Sequence, residues 1–236
     1  YFKTDPGSPR FETYAGFVKT ATNPAAAERW LKAFEASGPH PVAGYVQVGR
    51  GLLEAKDTPR AITLLQEGLR KFPQEPELHW TLGTALLSRG DVAGALEALQ
   101  LARKLDPASP GIAASLADAY LKAGDLANAR LQYEAVTASR PTNWKSWQQY
   151  GYVLQQLKDS KAAQQAYRRA IALNPDDFYS YRVIGTLYEA DQNWQAMFKI
   201  FEQGATRNLD LNLHLVMCWM FVPDTRVQQP GRALAR

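Results

Sequence analysis

The sequence holds one cysteine, Cys218, in 236 residues. A lone thiol cannot close an internal disulfide, so a small scaffold framed by bridges is excluded. No apolar run reaches the roughly 20 residues that a membrane-crossing helix needs. The longest, Leu211 to Val222, is broken by Asn212 and His214. Charge of one sign is not in large excess: 27 Lys and Arg stand against 23 Asp and Glu, a net charge of +4. Nucleic-acid or anionic-membrane binding calls for a concentrated basic stripe. The chain has only the separated pairs Arg70–Lys71, Arg103–Lys104 and Arg168–Arg169. Glycine (16) and proline (14) are too few for a collagen-like or low-complexity chain. With 46% hydrophobic residues, the chain is too apolar to stay disordered and long enough to bury a core. A soluble, globular protein is expected. The start, Tyr1-Phe2-Lys3-Thr4-Asp5-Pro6, reads as a loop without Met or a signal-like segment. It suggests a processed form or a piece of a longer protein, and leaves the compartment open.

What is present is a repeat. Prolines stand at Pro39, Pro73, Pro107, Pro141 and Pro175, and alanines at Ala27, Ala61, Ala95, Ala129 and Ala163, all 34 residues apart. The same step carries only Gly or Ala through Ala15, Gly49, Gly83, Ala117, Gly151 and Gly185. It carries bulky residues through Leu31, Leu65, Leu99, Tyr133, Tyr167 and Phe201. Coincident periods without insertion mark a repeat array. After a loop at 1–7, the units run 8–41, 42–75, 76–109, 110–143, 144–177 and 178–211. The first is degenerate, and the last has Leu209 in place of proline.

Each unit reads as two helices. In 76–109, Leu78, Leu82, Ala85 and Leu86 have helical spacing before Gly90-Asp91 interrupts it. Glycine suits a left-handed helix end, and aspartate accepts from the free amides of the next start. Ala95, Leu99 and Ala102 then share a face until Pro107 stops the helix, with Arg103 and Lys104 in the last turn, where the helix dipole favours positive charge. Small residues at Gly83 and Ala95 allow close approach, and Leu82, Leu86 and Leu99 fill the space beside them.

These residues resemble the tetratricopeptide repeat. In 144–177 the family pattern appears as Trp147, Tyr150-Gly151, Leu154, Ala163, Tyr167, Ala170 and Pro175. In 178–211 it appears as Tyr181, Ile184-Gly185, Tyr188, Phe201 and Gly204, with Met197 departing from alanine. The resemblance covers about residues 8–211. It implies an all-α fold, an α-α superhelix or right-handed solenoid, whose first helices line a concave groove. Residues of those helices outside the core are then the candidates for partner contact: Arg50, Trp80, Thr84, Asp118, Gln148, Tyr152, Gln155, Arg182 and Glu189. Aromatic and arginine side chains are the usual anchors of interfaces, and amides can pair with a peptide backbone. The plain alternative is that these are solvated polar positions. A lysine-and-asparagine clamp for acidic chaperone tails is absent, because the matching positions hold Val46, Arg50, Thr81, Gly111 and Ser115.

Catalysis finds little support. His40 sits between prolines, His79 takes the aromatic position of its repeat, and neither has a nucleophile or phosphate loop beside it. His214 and Cys218 would share a helix face, but a metal site needs further ligands. A buried thiol is the better reading of Cys218. No enzyme activity, cofactor or metal is expected. A base-by-base RNA code would repeat side chains at fixed positions. The sequence has Arg50, Thr84, Asp118, Tyr152 and Thr186 there, so no nucleic acid is expected.

Residues 212–223 break the pattern. Trp219 stands where the repeat has a small residue, among Leu213, Leu215, Val216, Met217, Met220, Phe221 and Val222. A helix apolar nearly all round has to be covered. Either Leu215, Trp219, Met220 and Phe221 form a contact with a second copy, a partner or missing downstream repeats, or the helix folds back deeply on the last repeat. Residues 224–236 read as a mobile tail. The function expected is a non-catalytic scaffold or adaptor for a protein or peptide segment, in assembly of a multiprotein complex. The resemblance suggests bacterial envelope, pilus, secretion or polysaccharide-export roles, with periplasm and cytoplasm both open. The alternative is the repeat region of a longer enzyme or secretion protein that recruits its substrate.

Overall fold

The computed structural model describes residues 41–206 together with Lys32 and Phe34. The loop 1–7, nearly all of the 8–41 unit, His40, His214 and Cys218 lie outside the described residues. So do the 212–223 helix with Leu215, Trp219, Met220 and Phe221, and the tail 224–236.

Ten α-helices and no strand occur in 41–206. They are α1 (Val42–Glu54), α2 (Thr58–Lys71), α3 (Pro76–Arg89), α4 (Val92–Leu105), α5 (Pro110–Ala123), α6 (Leu126–Ser139), α7 (Trp144–Gln156), α8 (Ser160–Leu173), α9 (Phe178–Ala190) and α10 (Trp194–Ala205). The all-α reading therefore holds for the described residues. The starts of α1, α3, α5, α7 and α9 step by 34 residues, as do those of α2, α4, α6, α8 and α10.

The local chemistry repeats on the same step. Asp57, Asp91, Asp159 and Asn193 each cap a second helix. Their side chains accept from the amides of Arg60 (3.4 Å), Gly94 (3.0 Å), Ala162 (3.1 Å) and Ala196 (3.2 Å). The residue before each cap turns with a positive φ, at Lys56 (61°), Gly90 (90°), Lys158 (63°) and Gln192 (54°), and Gly124 (79°) takes the same place before Asp125. Pro76 and Pro110 open α3 and α5, where a missing amide proton costs nothing.

The Gly register of the first helices meets the bulky register of the second. A Cβ on Gly83 would lie 2.5 Å from Cγ of Leu99 and 3.3 Å from the carbonyl oxygen of Ala95. Gly49 stands against Leu65 in the same way, Gly151 against Tyr167 and Gly185 against Phe201. The residue that fills the approach is thus Leu99 itself, and Ala95 contributes backbone.

The chain divides into two units, Tyr1–Asp125 and Leu126–Arg236. In the first, each helix from α1 to α5 packs on the next, and the first helices also pack on each other, α1 on α3 and α3 on α5. Its core includes the fully buried Phe34, Tyr45, Leu52, Leu65, Leu78 and Leu99. In the second, α6 to α10 pack in sequence around Leu154, Tyr167, Ile184 and Met197. His79 and Trp147 occupy one repeat position and make one bond. A ring nitrogen of each meets the carbonyl of the proline six residues earlier, Pro73 at 2.8 Å and Pro141 at 2.9 Å. A carbonyl only accepts, so this nitrogen of His79 carries the proton and ties α3 to the preceding turn. His79 has a structural task.

Candidate functional site

The candidate residues fall on the first helices of both units. In the first unit they are tied to one another. The guanidinium of Arg50 (α1) donates to Oε1 of Glu77 at 3.1 Å and lies 5.2 Å from the ring centroid of Trp80. The Trp80 indole (α3) donates to Oγ of Ser115 (α5) at 2.7 Å. Its ring rests on Gly111, where a Cβ would come within 2.7 Å of the indole. Thr84 turns its hydroxyl back to the Trp80 carbonyl at 3.0 Å. Asp118 is exposed on α5 and also has an interaction partner. Arg50 and Trp80 are therefore committed to bridging α1, α3 and α5. A cation over a desolvated indole and a bonded indole N–H both hold this arrangement.

In the second unit the equivalent place is open. The fifth residue of one first helix faces the second residue of the next: Trp80 over Gly111 in the first unit, Gln148 beside Tyr179 in the second. Gln148, Gln149, Tyr152 (α7) and Tyr179 (α9) line a recess of about 250 Å³. One wall is held from below by Asp177, 5% exposed, whose Oδ1 accepts from the Gln148 amide at 2.7 Å and whose Oδ2 accepts from the Ser180 hydroxyl. The amide is thereby fixed with its Nε2 donating inward and its oxygen left for another donor.

Tyr179 is held from both sides. Its ring meets that of Tyr167 edge-on, 6.2 Å between centroids, and the Arg182 guanidinium lies 5.6 Å from its centroid. Tyr167 donates its hydroxyl to Oε1 of Gln155 at 3.2 Å. Burial, and then the neighbouring Tyr179, push the Tyr167 phenol well above its ordinary range, so it stays a neutral donor. Gln155 is thus engaged internally, whereas Tyr152 faces the recess and Arg182 is exposed at its edge. Glu189, near the end of α9, is exposed and does not line the recess.

Of the nine candidates, the structure brings Arg50, Trp80 and Thr84 together in one unit. It brings Gln148, Tyr152 and Arg182 together around Tyr179 in the other. Gln149 and Tyr179 were not among the sequence candidates. Tyr179 belongs to the series Ala43, Glu77, Gly111, Lys145 and Tyr179, which has no constant character, and only the facing-position rule would have singled it out.

Among the described residues no helix is long and apolar enough to cross a membrane. No curated protein matches the chain in sequence. Among solved structures, MamA aligns at 21% identity over 70% of this chain and 91% of its own, with a TM-score of 0.65. MamA from Desulfovibrio magneticus RS-1 aligns at 19% identity over 73% and 96%, with a TM-score of 0.65. YrrB, described as a tetratricopeptide protein with an unusual peptide-binding site, aligns at 14% identity over 78% and 95%, with a TM-score of 0.66. Identities this low speak for the fold. Family models for the tetratricopeptide repeat match residues 47–110, 86–150 and 145–177, together more than half of the sequence. The chain belongs to the tetratricopeptide repeat family.

Proposed function

We propose that this chain is a non-catalytic interaction scaffold that holds a segment of a partner protein against its first helices and so helps to assemble a multiprotein complex. The observation that carries the reading is the recess between α7 and α9, walled by two amides and two phenols. Amides and phenol hydroxyls pair with a peptide backbone, while tyrosine rings offer rigid apolar faces at low entropic cost. At about 250 Å³ the recess suits one large side chain, not a cofactor. Arg182 at its edge adds a donor for a carbonyl or carboxylate. The peptide-binding site of YrrB supports the same use of the fold. The setting suggested by the family is a bacterial envelope assembly or, within a longer protein, recruitment of its substrate.

Affinity capture from native extract, read by mass spectrometry, tests the proposal. The wild-type chain is compared with a Tyr152→Ala/Arg182→Ala variant of unchanged helicity. Trp80 is left intact, because it packs on Gly111 and its loss would disturb the fold. A partner retained by the wild type and lost by the variant is expected. A partner held equally by both would remove the recess from the mechanism.

A further inference from the structure

A second hollow lies in the same unit, between the second helices α8 and α10. Ile171 and Ala172 from α8 and Ala196 and Ile200 from α10 form an apolar floor, and Arg168 and Lys199 stand at its rim. Its volume is about 310 Å³. Arg168 is held in place: its guanidinium donates to the Tyr188 hydroxyl and lies 5.8 Å from that ring's centroid. A guanidinium has five N–H donors, so most stay available to a ligand. No carboxylate lines the hollow among the described residues.

The dibasic rim belongs to these residues and not to the repeat. One unit earlier, the places of Arg168 and Lys199 hold Glu134 and Gln165; two units earlier, Gln100 and Leu131; three units earlier, Gln66 and Glu97. Only the last junction of the described helices pairs two cations there. The floor changes with them, since the places of Ile171 and Ile200 hold Thr137 and Ala166 one unit earlier.

We infer that this hollow is a second docking site, for an acidic peptide segment in which a large aliphatic or aromatic side chain is flanked by Asp or Glu. The apolar side chain would bury on Ile171 and Ile200, and the carboxylates would pair with Arg168 and Lys199. A nucleic-acid backbone or an anionic membrane would use the two cations but leave the apolar floor without an occupant. The peptide satisfies both.

The test uses the full chain with its isoleucine δ1 methyls labelled, titrated with acetyl-Asp-Glu-Leu-Phe-Asp-Glu-amide. Its partner probe has every acid replaced by lysine. The expected result is saturable shifts of the Ile171 and Ile200 methyls with the acidic peptide only, and affinity at least tenfold weaker in Lys199→Glu, a substitution at an exposed position. The Tyr152→Ala/Arg182→Ala variant should bind this peptide as the wild type does, which separates this site from the first-helix recess. Binding unchanged by Lys199→Glu overturns the inference, as do shifts confined to residues around Tyr152 and Tyr179. So does the absence of saturable binding, or displacement of the peptide by a single-stranded RNA oligomer or phosphatidylserine vesicles that leaves the two methyls unshifted.

Discussion

At the scale of single residues, the turn before each second helix is a natural experiment. Five residues on one 34-residue step take positive φ, yet only Gly90 and Gly124 are glycine; Lys56, Lys158 and Gln192 adopt the same conformation with a side chain. A left-handed conformation costs an L-residue about 1–2 kcal/mol, and glycine returns roughly 0.5–1 kcal/mol of that through its unfolded-state entropy. Lys56→Gly, Lys158→Gly and Gln192→Gly should therefore each raise unfolding free energy by about 0.5–1 kcal/mol. Gly90→Ala should lower it by a similar amount, although nothing lies within 4 Å of the added Cβ. Urea titration of each variant checks both signs. Beside this turn, the Gly94 amide and then the Arg89 guanidinium hold the Asp91 carboxyl below its ordinary range. A depressed folded-state value means that the ionised carboxylate stabilises the fold above its unfolded-state value. That stabilisation disappears as the pH falls through the folded-state value. The stability gap between wild type and Asp91→Ala should hold at neutral pH and close under strong acid.

At the scale of elements, the helix pair depends on a missing side chain. Gly83→Ala would press a methyl against Leu99, which is fully buried and has no room to swing away. The expected cost is about 1–3 kcal/mol. Gly83→Ala combined with Leu99→Ala should cost less than the sum of the two single changes, as denaturation of all four proteins would show. The close approach was legible in the sequence, because the small residues repeat with one period, but its partner was not: Gly83 was expected to face Ala95 with Leu99 beside them, and it is Leu99 that meets Gly83. The helix ends were legible too, with Asp91 capping and Gly90 turning as read. What could not be read was which first-helix side chains were already engaged. Arg50 and Glu77 are 27 residues apart and Trp80 and Ser115 are 35 apart, and periodicity names a face without naming the partner across it. Tyr179 escaped notice because its series runs from glutamate to glycine to lysine, so no residue type marks it.

At the scale of the whole molecule, one repeated scaffold carries two kinds of junction between first helices. In the unit Tyr1–Asp125 the place between the first helices α3 and α5 is filled by Trp80, bonded to Ser115 and stacked under Arg50. Trp80→Ala should cost roughly 2–4 kcal/mol, somewhat below the cost of removing a fully buried aromatic, while leaving partner binding by the other unit intact. In the unit Leu126–Arg236 the same place holds Gln148 and Tyr179 and stays open as a recess. Exchanging two residues thus leaves this place filled in one unit and open in the other. The most direct test is site-specific photocross-linking in native extract, with benzoyl-phenylalanine at position 152 and, as the comparison, at position 131, where Leu131 is 60% exposed on α6. A discrete adduct from position 152 and none from position 131 is the expected result. An adduct from position 131 alone, or none from position 152, would contradict recognition by the first helices.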